Sequence, residues 1–242
     1  MRGLRYLYRV PLLLWHVVVD LPVAVVLMAV GGARVEQAMV RAWSAGLMRV
    51  FGFRLRRFGT PLPGVAMFVA NHVSWVDIVA LHSQRMMGFV AKREIAGWPL
   101  VGWMAARAGT IFHQRGSTES LGGVIEEMLE RLREGGAVGV FPEGRTRGGD
   151  GVGPFHARIF TAAVEADVPV QPVALRYGAG GRDQAMVAFR PGENFLANFL
   201  RLLGEPARNA EICFLEPIPP GSAEGRRRIA ELSRERIVAA MP

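Results

Sequence analysis

Val65-Ala66-Met67-Phe68-Val69-Ala70-Asn71-His72-Val73-Ser74-Trp75-Val76-Asp77 is the stretch that decides how this chain folds. Its first six residues are apolar without interruption, which reads as a strand buried on both faces, as inside a parallel sheet. Asn71 and His72 stand where that strand runs out. Ser74 followed three positions later by Asp77 matches a capping box, so a helix starts here. The tip of such a strand is where open α/β sheets hold their ligands.

Outward from this stretch, short apolar runs recur at 88–91, 110–112, 137–141 and 168–175, with later strands expected at 186–189 and 212–215. Helical periodicity fills 117–133 and stops at Gly135-Gly136. Further helices are expected at 155–166 and, rich in arginine, at 222–240. Strands separated by helices imply an α/β fold with a mixed, largely parallel sheet flanked by helices.

The N-terminus is of another kind. Residues 10–30 are almost wholly apolar, about as long as a spanning helix of ~20 residues. Arg2, Arg5 and Arg9 precede the segment, and Arg34, Arg41 and Arg49 follow it. Cationic flanks on both sides oppose a one-way crossing. Asp20 adds a charge costing roughly 2.5–3.5 kcal/mol mid-membrane, and Pro22 is expected to kink the helix. Beyond Gly31-Gly32, Val35, Met39, Trp43, Leu47 and Val50 recur at helical spacing. The reading is a helical hairpin over 1–55, dipping into one leaflet from the cytoplasmic face of the inner membrane, and one α/β domain over 56–242. A helix that merely covers the domain core is the other reading. A cleaved signal peptide fits poorly, because His16 and Asp20 interrupt the apolar run.

Composition agrees with a membrane-surface protein. Of 242 residues, half are hydrophobic and the net charge is +8. That balance points to the phospholipid bilayer or an anionic lipid; nucleic acid is not expected, since no basic-aromatic stripe or zinc spacing is present. One cysteine, Cys213, excludes an internal disulfide. Lys92 is the only lysine among 29 basic residues, either a survivor of a bias toward arginine or a site needing a compact ammonium.

His72 and Asp77 are the kit for taking a proton from a hydroxyl: a carboxylate fixed at a helix start orients the ring and raises its basicity. Asp77 as a plain helix cap is the alternative. Phe141-Pro142-Glu143-Gly144-Arg145-Thr146-Arg147 ends another strand, and its arginines suit an anion held bidentately. A surface turn with an internal ion pair is the alternative there. His72, His82, His113 and His156 lack metal-ligand spacing, so no metal is expected.

Asn71 to Asp77 resembles the NHxxxxD box of the glycerolipid acyltransferase family, which includes the bacterial 1-acylglycerol-3-phosphate acyltransferases. Phe141 to Arg147 resembles its FPEGTRS box. Residues 89–94 with Pro99, Gly102, 109–112 and Arg115 are similar to its second block, and 168–175 to its fourth. The resemblance implies transfer of a fatty acyl group from acyl-CoA or acyl-carrier protein to the sn-2 hydroxyl of a lysophospholipid acceptor, lysophosphatidic acid, with no further cofactor. It implies His72 as base with Asp77 as its partner. Lys92, Glu143, Gly144, Arg145, Thr146 and Arg147 would line the glycerol-phosphate site. Gly144-Arg145-Thr146-Arg147 departs from the common order, and Phe155-His156-Ala157-Arg158 replaces a later Phe-Lys-x-Gly, so a lyso-ornithine lipid or another lysolipid stays open as acceptor. A lipid hydrolase lacks the Gly-x-Ser-x-Gly elbow in this sequence. A non-catalytic membrane-binding protein is the remaining class.

Overall fold

The computed structural model describes residues 2–97, 101–113, 118–149 and 151–242. Helix α1 (Arg2–Trp15) runs through one π-helical turn at His16–Asp20 into α2 (Leu21–Val30), and α3 (Ala33–Val50) folds back along it. Then come β1 (Phe53–Phe58), β2 (Ala66–Ala70), α4 (Val76–His82), β3 (Gly88–Lys92), α5 (Val101–Arg107), β4 (Ile111–His113) and α6 (Thr118–Arg133). The chain ends with β5 (Ala137–Val140), α7 (Thr161–Glu165), β6 (Val170–Tyr177), α8 (Gln184–Val187), α9 (Phe195–Leu203), β7 (Arg208–Phe214) and α10 (Gly225–Ala240).

The strands form one sheet in the order β1-β7-β6-β2-β5-β3-β4. Among the described residues only the β6–β7 strand pair is antiparallel, so the sheet is mixed and largely parallel as expected. Central β2 is buried at every position. Its pleat sends Ala66, Phe68 and Ala70 to a core shared with α3, α4 and α9, and Met67 and Val69 to a core shared with α6, α7 and α10. Leu47, Met48 and Phe51, at the end of the hairpin, belong to the first core.

Several expectations need correction. No strand forms at 186–189: residues 184–187 make the short helix α8. Both edges of β6 are already taken, by β2 and by β7. β7 starts earlier than expected because its charged end is satisfied across the ladder, Arg176 Nη2 meeting Glu211 at 2.8 Å. The helix expected over 155–166 is a 3₁₀ turn at Ala157–Phe160 followed by α7. Just before it, the amides of Gly153 and His156 bond to Glu143 and to the Pro142 carbonyl, so helix cannot begin sooner. β1 escaped notice because it reads Phe-Arg-Leu-Arg-Arg-Phe; at the sheet edge, paired only with β7, Arg54, Arg56 and Arg57 stay exposed.

In the hairpin, one helix of 29 residues, Arg2–Val30, is long and apolar enough to cross a membrane. It starts well before residue 10. His16 and Asp20 are its pivot rather than flaws in it: His16 Nδ1 meets Asp20 at 2.8 Å, Nε2 meets the Trp43 carbonyl at 2.9 Å, and the imidazole stacks on the Trp43 ring. A π-turn is a natural place for such an insertion.

Candidate active site

β2 and β5 are parallel neighbours in register from Ala66↔Ala137 to Val69↔Val140. Their carboxyl ends therefore deliver Asn71-His72 and Phe141-Pro142-Glu143 side by side, the juxtaposition the two boxes call for. Asn71 continues the sheet with its side chain: Oδ1 accepts the Leu175 amide at 2.8 Å and Nδ2 donates to the Leu175 carbonyl at 3.0 Å. This clamp fixes where the backbone leaves β2.

Asp77 is wholly buried and four donors surround it. Oδ2 accepts the amides of Val73 at 2.6 Å and Ser74 at 2.9 Å, and meets His72 Nδ1 at 2.8 Å. Oδ1 accepts the Tyr177 hydroxyl at 2.6 Å. Helix cap and ring partner are thus one geometry: the amides hold the carboxylate, and the carboxylate holds the ring. Burial first, then the charge of Asp77 and the hydrogen bond to it, push the Tyr177 phenol well above its ordinary range, keeping it a donor.

The imidazole of His72 lies flat on Phe141, ring centres 4.0 Å apart, and Phe141 stacks in turn on Phe89 at 5.6 Å. With Nδ1 committed to Asp77, Nε2 is free of any partner among the described residues. The ring has one orientation and one available nitrogen.

Glu143 is buried and bridges the two boxes. Oε1 accepts the His72 amide at 2.9 Å, and Oε2 accepts the Gly153 amide at 2.8 Å and pairs with Arg147 Nε at 3.3 Å. The Arg147 amide donates to the His72 carbonyl at 2.9 Å. A Cβ on Gly153 would fall 2.2 Å from Arg147 Nη2, so a glycine is needed for the guanidinium to lie over that backbone. Gly144 takes φ +70°, the left-handed turn open to glycine, and it and Arg145 are exposed. Among the described residues Arg145 has no ion-pair partner, and Thr146 lies half-buried between the two arginines. Lys92 ends β3 opposite His113 of β4, but its side chain lies outside the described residues, as do Pro99 and Arg115.

The structure therefore joins His72, Asp77, Glu143 and Arg147 in one hydrogen-bonded unit. Sequence reading missed Tyr177, Phe141 and the Asn71 clamp as parts of it. Nothing local marks Tyr177, which arrives a hundred residues after Asp77 at the far end of β6.

Comparison with known proteins follows this geometry. The family model described as Acyltransferase matches residues 59–176. A lyso-ornithine lipid O-acyltransferase of Pseudomonas aeruginosa is 38% identical over 200 residues, covering 83% of this chain and 76% of that protein. The chain belongs to the acyltransferase family. Another lyso-ornithine lipid O-acyltransferase, from Brucella abortus, is 34% identical over 205 residues, 79% of this acyltransferase and 77% of that one. A 1-acyl-sn-glycerol-3-phosphate acyltransferase of Neisseria gonorrhoeae is 40% identical over 126 residues, 52% and 49% of the two chains. The fold matches the crystal structure of the 1-acyl-sn-glycerophosphate acyltransferase from Thermotoga maritima at TM-score 0.78 and 19% identity, covering 99% of this acyltransferase and 96% of that chain.

Proposed function

We propose that this acyltransferase moves a fatty acyl group from an acyl thioester, acyl-CoA or acyl-carrier protein, onto a hydroxyl of a lysolipid at the cytoplasmic face of the inner membrane. The observation that carries the reading is the His72 ring, held by Asp77 and Phe141, with Nε2 free of partners among the described residues, beside an arginine-bearing turn. Nε2 takes the hydroxyl proton as the oxygen attacks the thioester carbonyl. The new C–O bond forms, the C–S bond breaks, and the proton passes from His72 to the departing sulfur. No acyl-enzyme is involved. Asp77 stabilises the imidazolium in between, and general-base help of this kind is worth roughly 10²–10⁴-fold. Arg145 and Arg147, with Gly144 and Thr146 shaping the turn and Lys92 from β3, take the acceptor's anionic group. Glu143 acts by holding Arg147 and the His72 backbone.

The acceptor favoured is a lyso-ornithine lipid, because similarity to proteins of that name extends over three quarters of both chains. Lysophosphatidic acid, acylated at its sn-2 hydroxyl to give phosphatidic acid, is the second reading and rests on the higher identity, over a shorter stretch of 126 residues, to the Neisseria enzyme. Both acceptors present a hydroxyl and an anion, a carboxylate in one and a phosphate in the other.

The test is the purified full chain with labelled acyl-CoA and acyl-carrier protein against a panel of lysolipids. Transfer to at least one acceptor, lost by two to four orders of magnitude in His72→Ala with the melting temperature kept, is the expected result. Retention of most activity in that variant removes His72 as the base. Release of free fatty acid in place of transfer would put the protein among hydrolases.

A further inference from the structure

Helix α9 buries its polar residues beside Leu202 and Leu203 and turns further leucines outward. Its two polar residues, Asn198 and Arg201, are buried, while Leu196 and Leu200 on the outer side are 62% and 48% exposed. Inside, Arg201 pairs with Glu193 at 2.7 Å and donates to the carbonyls of Met186 and Ala188. Asn198 Oδ1 accepts the Trp75 indole N–H at 3.0 Å. A surface helix in water has the opposite pattern. Polar groups turned inward and leucines turned outward suit an apolar surrounding.

The outer face of α9 also continues that of the hairpin. The Tyr6 hydroxyl donates to the Leu200 carbonyl at 2.8 Å, and Arg9 donates to the Leu203 carbonyl at 2.9 Å, so α1 is seated along α9. On α1 itself, Leu4 and Leu7 are 67% and 73% exposed. On the protein side, α9 packs Phe195 and Phe199 on Trp75, ring centres 5.8 and 5.4 Å away. Trp75 lies between His72 and Asp77 in the turn that carries the site.

We infer that α9 is a membrane-contacting element of the catalytic domain, immersing Leu196 and Leu200 among the acyl chains of the leaflet that the hairpin enters. It holds the His72 turn at the lipid surface through Trp75. The inference rests on the membrane reading above and adds a second, sequence-distant contact to it.

The test compares the full chain with Leu196→Ser/Leu200→Ser and with Val164→Ser/Val238→Ser. The second pair removes exposed apolar residues from α7 and α10, on the other side of the sheet. Each protein is sedimented with phosphatidylethanolamine–phosphatidylglycerol vesicles. Each is also assayed on vesicle-embedded lysolipid and on a short-chain lysolipid below its micelle concentration. The α9 variant is expected to partition roughly 10-fold more weakly and to show a similar rise in KM on vesicles. Its kcat on the soluble acceptor and its melting temperature stay unchanged, and the α7/α10 variant behaves as wild type. Equal partitioning of both variants overturns the inference. So does a change of oligomeric state in the α9 variant with partitioning intact, which would assign the face to a second copy of the chain. If the unmodified chain does not sediment with vesicles, the membrane reading itself fails.

Discussion

At the scale of single residues, the site depends on one buried carboxylate that satisfies four donors at once. Tyr177→Phe removes the donor on Oδ1 and leaves that oxygen unpaired in a dry core. The expected outcome is a loss of about 1–3 kcal/mol of stability and a fall in kcat of roughly 10-fold. A purely structural tyrosine would lower the melting temperature and leave kcat in place. His82 makes a separate prediction. Burial lowers its pKa to about 4, its Nδ1 has no hydrogen-bond partner among the described residues, and its ring meets the edge of Phe89. Between about pH 6.5 and 4 the unfolded chain takes up a proton that the folded chain refuses, so stability falls as pH falls through that window. The contribution is on the order of 3 kcal/mol, and His82→Leu should flatten the pH dependence of the thermal midpoint there. Much of the candidate site's geometry was legible at this scale: His72, Asp77, Glu143 and Arg147 sit in two boxes whose spacing suits a strand tip and a helix start. Tyr177 and Phe141 were not, because their roles come from tertiary stacking and sheet register that no local pattern encodes.

At the scale of elements, buried apolar strands with helices between them announced β2 to β6, and the capping box announced α4. The elements that escaped are those whose chemistry is settled by neighbours. β1 is half arginine and has only one edge paired, and α8 is held beside β6 by buried Gln184 and Val187, Gln184 bonding to Tyr177 and Leu175. α9 carries a clear signal in retrospect, Asn194 accepting the Ala197 amide at 2.9 Å as its N-cap. The hairpin offers an element-scale test. Gly46 in α3 faces His16, and a Cβ there would fall 2.6 Å from the ring's Cε1. Glycine to alanine inside a helix ordinarily gains about 1 kcal/mol. Here the His16–Asp20–Trp43 knot must give way instead. Gly46→Ala should therefore lower the thermal midpoint in detergent, and a rise would mean the knot bears no weight.

At the scale of the whole molecule, the hairpin and the sheet share a core. Leu47, Met48 and Phe51 pack with Phe53, Phe68 and Tyr177, and Phe51 meets Trp75 edge-on at 5.1 Å. Removing residues 1–50 therefore strips the face of the sheet that supports the His72 turn. The expected result is a remainder that melts lower and loses activity even toward a soluble acceptor. A truncated protein as stable and active as the full chain would show the hairpin to be an anchor only.

In the membrane setting proposed above, the arginines of β1 have a consequence. A protein confined to two dimensions meets its own copies far more often than one adrift in three, and a bare outermost strand invites them to zip together. Three guanidinium groups along six residues make that encounter repulsive, so crowding by itself does not turn neighbours into a continuous ribbon.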